Sequence, residues 1–233
     1  MRDEAISGIF EEARLEGRDY LFEHEAKRLC SFYGMPVTRF MVSRTVEEAV
    51  AAAAEMGFPV VLKIVSPQVL HKSDAGGVLL NIEDEEEVRA GYRRIIENVG
   101  AKVPEAEIMG ILVQEMAPSS TEVIVGSTRD PTFGQTIMFG LGGIFVEILE
   151  DVSFRLVPIT RADAEEMIRE IRAYRILEGA RGMPKADQEA IVGVLLSTSR
   201  MLMECPEIKE LDINPVLVYE AGAKIVDARV ILG

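Results

Sequence analysis

Residues 59–78 read PVVLKIVSPQVLHKSDAGGV and carry two signals side by side. The first is an apolar run, Pro59 to Val65, that reads as a buried strand holding a single lysine, Lys63. A buried ammonium is costly unless an anion meets it, and a phosphate would resolve that cost. A lysine at a sheet edge, with its stem on apolar surface and its head in water, is the bland alternative. The second signal is the loop His71-Lys72-Ser73-Asp74-Ala75-Gly76-Gly77, which leads into a strand over Val78–Ile82. Its small residues let backbone amides approach phosphate oxygens, and Lys72 adds charge. It is not a Walker loop, and taken by itself a plain turn accounts for it.

Outward from this stretch the chain alternates helices and strands. Upstream, Ser43 and Thr45 offer capping oxygens to an alanine-rich helix, Val46–Met56, which stops at Gly57. Before it, periodicity predicts helices over Glu4–Glu16 and Tyr20–Tyr33, the second closing at Gly34, and a strand over Thr38–Val42. Downstream, a charged helix runs from Asp84 to about Val99, followed by strands Ile111–Met116 and Glu122–Ser127. Strand-like apolar stretches then flank Gly140, Gly142 and Gly143 in FGQTIMFGLGGIFVEILED. Thr160 caps a helix reaching Arg172, and a longer helix, Ala186–Met203, puts Ile191, Val194, Leu195, Thr198 and Leu202 on one face. Two last strands, Leu211–Tyr219 and Lys224–Ile231, form a hairpin around Glu220-Ala221-Gly222.

This order is α+β, with no uniform βαβ repeat and no solenoid period. It divides into an N-terminal helical segment, 1–19, a lobe over 20–115 and a lobe over 116–233, with a hinge at Gln114-Glu115-Met116 rather than a low-complexity tether.

The formal net charge of -14 sets the summed field against phosphate backbones and anionic membranes, so neither nucleic acid nor a membrane is an expected partner. Any nucleotide site must then be built locally from a lysine, backbone amides or a metal. No stretch approaches ~20 consecutive apolar residues and the N-terminus is acidic and amphipathic, which points to the cytoplasm. The two cysteines, Cys30 and Cys205, each fall in a helical apolar pattern, the mark of core residues rather than of a disulfide framework or zinc cluster.

The chain has two histidines, His24 in an amphipathic helix and His71 in the loop, too few and too separated for a metal site of their own. An imidazole can also attack phosphorus, although a lone histidine is more often structural. Asp212-Ile213-Asn214 at a strand start and Asp227 in the next strand can approach one another across a hairpin, offering oxygen ligands suited to Mg²⁺.

Taken together, YGMPVTRF, VLKIVSP, LHKSDAGGV, LVQEM, the block DPTFGQTIMFGLGGIFVEILEDVSFRLVPI, ELDINPVLV and IVDARV occur in an order that resembles one family. It is the ATP-grasp subunit of NDP-forming acyl-CoA synthetases, relatives of the succinyl-CoA synthetase β chain, and the resemblance covers nearly the whole chain. It implies an ATP-grasp fold, two α+β lobes closing over a nucleotide, with ATP and ADP as substrates. Lys63 matches the phosphate-contacting lysine, and Gly76 and Gly77 match the small-residue loop over the phosphates. Gln114, Glu115 and Met116 match the adenine-contacting hinge, and Glu122 is similar to the acidic residue that meets the ribose. Asn214 and Asp227 match two magnesium-ligand positions, and Asp212 an acidic position near a phosphohistidine supplied by the partner. His71 departs from the succinyl-CoA synthetase pattern and looks like the ADP-forming acetyl-CoA synthetase group, whose ATP-grasp subunit is thought to carry a second phosphohistidine. The resemblance further implies a CoA-binding α subunit on another polypeptide, assembled as an α₂β₂ heterotetramer.

Two other readings meet the same residues. A stand-alone ATP-grasp carboxylate–amine ligase would need neither partner nor CoA, and a non-catalytic nucleotide-sensing module would bind ATP without becoming phosphorylated.

Overall fold

The structure, a computed structural model, describes residues 4–69, 71–143, 146, 148–179 and 184–233. In chain order the elements are α1 (Glu4–Leu15), β1 (Tyr20–Leu21), α2 (Glu23–Phe32), β2 (Phe40–Ser43), α3 (Val46–Met56), β3 (Val60–Val65), β4 (Val78–Ile82), α4 (Glu85–Lys102) and β5 (Gly110–Glu115). There follow β6 (Thr121–Asp130), β7 (Gly134–Leu141), β8 (Val152–Leu156), α5 (Arg161–Glu170), α6 (Tyr174–Leu177), α7 (Gln188–Glu204), β9 (Ile208–Val218), β10 (Ala223–Ile225) and β11 (Ala228–Leu232). No described helix is long and apolar enough to cross a membrane.

The chain divides into two compact units, one of residues 38–118 and one of residues 1–37 with 119–233. The expected boundaries at 19/20 and 115/116 therefore shift. Residues 20–37 join the C-terminal half because β1 pairs antiparallel with β11, Tyr20 to Ile231 and Leu21 to Val230, and because Leu29, Cys30 and Tyr33 of the following segment enter that half's core.

In the unit of residues 38–118, four strands lie in the order β2-β5-β3-β4. Their apolar face meets α3 and α4, with Ala49, Ala53, Leu62, Ile64, Val88, Ile95 and Ile111 at the centre of the core. Local chemistry starts both helices. The Thr45 hydroxyl accepts from Glu48 N–H at 3.2 Å, and the Asp84 carboxylate from Glu87 N–H at 2.8 Å. α3 ends at Gly57, whose φ of 83° suits a residue without a Cβ.

The other unit is built on a seven-stranded sheet, β1-β11-β9-β6-β7-β8, with β10 also paired to β9. Inward residues alternate along each strand, among them Val123 and Val125 of β6, Ile137 and Phe139 of β7, and Leu211 and Ile213 of β9. They pack on α1, α2, α5 and α7, and Cys30 and Cys205 lie in that core without a disulfide, with burial pushing the Cys30 thiol up to about 12.

Two expected elements differ. The helix expected from Tyr20 begins only at Glu23, since Tyr20 and Leu21 are claimed by β11 and the Glu25 carboxylate caps Phe22 N–H at 2.7 Å. The expected strand Lys224–Ile231 is two strands, β10 and β11, both paired with β9. Between them Val226 N–H donates to Pro215 O at 3.0 Å and Asn214 N–H to Asp227 O at 3.2 Å, which replaces the regular ladder.

Candidate functional site

Lys63 sits on β3 between β4, where it faces Val78, and β5, where it faces Leu112. It is 6% exposed, so it is an interior position and not the edge lysine of the bland alternative. Keeping an ammonium there requires charge or dipoles directed at it.

The loop from His71 begins a few residues on. His71 is exposed, and its carbonyl accepts the Ala75 N–H at 3.2 Å. Gly76 N–H donates to Ser73 O and Gly77 N–H to Lys72 O, at 3.0 and 2.7 Å. The amides expected to reach outward for phosphate are thus turned into the loop, and the glycines serve it differently. Gly76 takes a φ of 69°. Gly77 lies so close to β3 that a Cβ would come within 2.4 Å of Ile64 Cγ2. Its carbonyl accepts Ile64 N–H at 2.8 Å, which fastens the His71 loop to the strand that carries Lys63.

Gln114 and Glu115 close β5, both buried, with Met116 following. The Glu115 carboxylate takes hydrogen bonds from Arg39 N–H and Arg39 Nε, each at 3.0 Å, and Arg39 Nη2 reaches Met56 O at 2.6 Å. Nothing local in the sequence links residues 39 and 115. Glu115 N–H and Met116 N–H donate to Arg39 O and Pro59 O, so the segment is held rigidly on this unit's sheet.

In the other unit, Asp212, Asn214 and Asp227 come together as expected. In β9, Asp212 and Asn214 are exposed on one face while Ile213 between them is buried. Asp227 is brought beside Asn214 by the hydrogen bond between their backbones. The surrounding protein pushes the Asp212 carboxyl above its usual range, the Asp227 charge pushes it further, and Arg229 opposes both. Arg229, which the sequence reading passed over, stands directly across from Asp212 in β11. Glu122 lies exposed on β6 of the same unit, next to Gly142, whose N–H donates to Glu122 O at 2.9 Å. Residues 144, 145 and 147 of the glycine-rich passage fall outside the described residues.

These oxygens suit a hard divalent cation. The Asp227 charge raises the cost of ionising Asp212, a repulsion that a cation would offset. Among the described residues no group of three or more His, Cys, Asp or Glu side chains could cage a metal. A small oxygen set that leaves room for water and phosphate ligands is what Mg²⁺ takes.

A model of the ATP-grasp domain family matches residues 12–232. The β subunit of ADP-forming acetate–CoA ligase I from Pyrococcus furiosus is 54% identical over 224 residues, which cover 96% of this chain and 96% of that one. A solved structure of Ca. Korarchaeum cryptofilum dinucleotide-forming acetyl-coenzyme A synthetase 1, in complex with coenzyme A, Ca-AMPCP and HgCl+, matches with a TM-score of 0.95 and 56% identity, covering 97% of this chain and 99% of that chain. The selenomethionine derivative of that synthetase, with coenzyme A and Mg-AMPPCP and its phosphohistidine segment pointing towards the nucleotide binding site, matches with a TM-score of 0.87 and 52% identity, covering 98% and 100%. With the family model spanning most of its length and such identity across nearly the whole of both chains, the chain belongs to the ATP-grasp family of ADP-forming acetate–CoA ligase β subunits.

Proposed function

We propose that the chain is the nucleotide-handling subunit of an ADP-forming acyl-CoA synthetase, acting in the cytoplasm with a CoA-binding α partner in an α₂β₂ assembly. The reaction of the complex is acyl-CoA + ADP + phosphate ⇌ acid + CoA + ATP. The observation that carries this reading is the 54% identity to an acetate–CoA ligase β subunit across 96% of both chains.

In the direction from ATP, the bond between the γ-phosphorus and the bridging oxygen breaks and ADP leaves with the electron pair. A P–N bond forms at the bare ring nitrogen of His71. The imidazole N–H that remains is a proton to be held, and a carboxylate that accepts it fixes the tautomer. Asp212, whose own ionisation is disfavoured by its neighbours, is suited to that task for one of the two carrier imidazoles, the other belonging to the partner. Passing phosphate through histidines divides a long transfer into short ones.

Lys63 supplies a fixed positive charge to phosphate oxygens, with Gly76 and Gly77 shaping the loop beside it. Gln114, Glu115 and Met116 contact adenine and Glu122 the ribose. Asn214 and Asp227 hold Mg²⁺, which when bound neutralises phosphate charge that an acidic chain would otherwise repel.

The test is transfer of label from γ-labelled ATP to the purified chain with Mg²⁺, comparing wild type with His71→Ala. Acid-labile label on the wild type, reduced at least ~10³-fold in the variant, is expected. Equal labelling of both would remove His71 from the pathway. ATP binding with no label on either chain, even with the partner present, would favour a nucleotide sensor.

A further inference from the structure

Asp212, Asn214 and Asp227 have roles in the reading above, but one charged side chain in the same patch has none. Arg229 of β11 is the register partner of Asp212 in β9. Directly opposed residues project to the same face of a sheet with Cβ atoms about 5 Å apart. Asn214 lies two residues beyond Asp212 on the same exposed face of β9. Asp227 comes just before β11, held beside Asn214 by the Asn214 N–H to Asp227 O bond, and its charge reaches Asp212. The patch holds two carboxylates, one carboxamide and a single guanidinium.

That guanidinium is uncommitted. Arg229 is exposed, and with the described residues it makes no hydrogen bond or ion pair. Other arginines of this unit differ: Arg155, Arg161 and Arg200 each bind a glutamate, at 2.8, 2.5 and 2.9 Å. On the far side of Asp212 the same rung continues to Gly126 of β6, which presents no side chain. The carboxylate therefore has a cation on one side and, on the other, a glycine packed over by the Met138 methyl, so no second charged group flanks it along the rung.

The geometry points to Arg229 as a contact residue for the phosphoryl group in transit, gripping its oxygens while it lies beside Asp212 and the Asn214–Asp227 pair. This assignment rests on the phosphoryl-transfer reading above. A phosphoryl group arriving at Asp212 and Asp227 meets two negative charges in a chain whose net charge is -14. A planar guanidinium can meet two of its oxygens at once, and a strand-borne one is already placed. Because the phosphoryl group is the γ-phosphate of ATP and is missing from ADP, Arg229 should distinguish the two nucleotides.

The experiment measures calorimetric affinities, with Mg²⁺, for ADP and for an ATP analogue with a methylene bridge between its β and γ phosphates. Wild type, Arg229→Gln and Arg229→Lys are compared, with thermal midpoints as a control of folding. Arg229→Gln is expected to weaken the ATP analogue about tenfold, or ~1.4 kcal/mol, while ADP stays within about twofold. Arg229→Lys should recover only part of the loss, since an ammonium cannot reproduce the two-point contact. Equal weakening of both nucleotides would reduce Arg229 to a general charge, and unchanged affinity for the analogue would remove it from the site; either overturns the assignment. Failure of the wild type to bind either nucleotide would bring down the underlying functional reading instead.

Discussion

The two units set their chemistry in opposite surroundings. In residues 38–118 the charged group is buried: Lys63 lies in a strand whose six residues are all buried and is flanked by partner strands on both sides. The proposed nucleophile, His71, is exposed in a loop tied to that strand through Gly77. In the other unit the polar groups stand on the open face of a sheet, anchored by buried alternate residues such as Leu211 and Ile213. A charge acts more strongly where protein surrounds it, whereas groups on an open face must be several and in register to hold an ion against water. One unit thus offers a single strong cation beside a loop, and the other a rigid array of individually weaker ligands.

After the proposed nucleophile itself, the largest effect should come from the buried cation. Lys63→Met keeps the length of the side chain and removes its charge, so phosphoryl transfer from labelled ATP is expected to fall by at least ~100-fold. Lys63 interacts with other groups of the protein, so the thermal midpoint should fall modestly, but transfer should fall far more than the loss of folded protein explains. If Lys63 served mainly as a structural ion, the midpoint would drop by several degrees and nucleotide affinity would fall only with it. Differential scanning calorimetry alongside the transfer assay separates these outcomes.

The buried strand was the most legible part of the sequence. Its uninterrupted apolar run, the glycine stop before it and the loop after it mark β3 and β4 within one residue of their observed ends. Asp212, Asn214 and Asp227 were legible as residue types on a hairpin, and the sheet does bring them together. What escaped depends on partners distant in sequence. The β1 strand exists only because β11 returns beside it, and Glu115 is fixed by Arg39 across the sheet. The glycines of the loop were legible as small residues, but the direction of their amides was not, since the acceptors are carbonyls of the same loop. Arg229 falls within IVDARV, but the sequence attaches no role to it there, and only its register with Asp212 gives it meaning.

The tie between loop and strand gives the next prediction in size. Gly77→Ala would place a Cβ 2.4 Å from Ile64 Cγ2 and 3.1 Å from Lys72 O, so β3 or the loop must move. Overpacking of this kind costs about 1–3 kcal/mol, a fall of roughly 2–10 °C in the thermal midpoint for a chain of this size. The corresponding change in the other unit, Gly126→Ala, would meet the Met138 Cε methyl at 3.0 Å, the far end of a flexible side chain that can swing aside. It should cost less than about 1 kcal/mol. Similar losses in the two variants would mean that the loop is no more tightly tied to its strand than the open face is packed.

The smallest effect, and the one with the clearest sign, concerns Asp212 on the open face. Its folded pKa lies above the unfolded value because the surrounding protein and Asp227 both disfavour the carboxylate. Such a group adds stability fully below its unfolded pKa, about 3.9, and that stability is lost as pH rises through the higher folded value. At neutral pH ionised Asp212 is therefore a net cost, kept modest because the residue is exposed and water screens its charge. Asp212→Asn should raise the thermal midpoint at pH 7 by about 1–2 °C without divalent cations, with the difference shrinking toward zero near pH 4. Added Mg²⁺ should narrow the gap at pH 7 by offsetting the repulsion in the wild type. The same variant should transfer phosphate at least ~10-fold more slowly, since the amide cannot hold an imidazole N–H with a negative charge. A midpoint difference that does not vary with pH would show that Asp212 and Asp227 do not feel one another, and the oxygen set proposed for magnesium would lose its electrostatic basis.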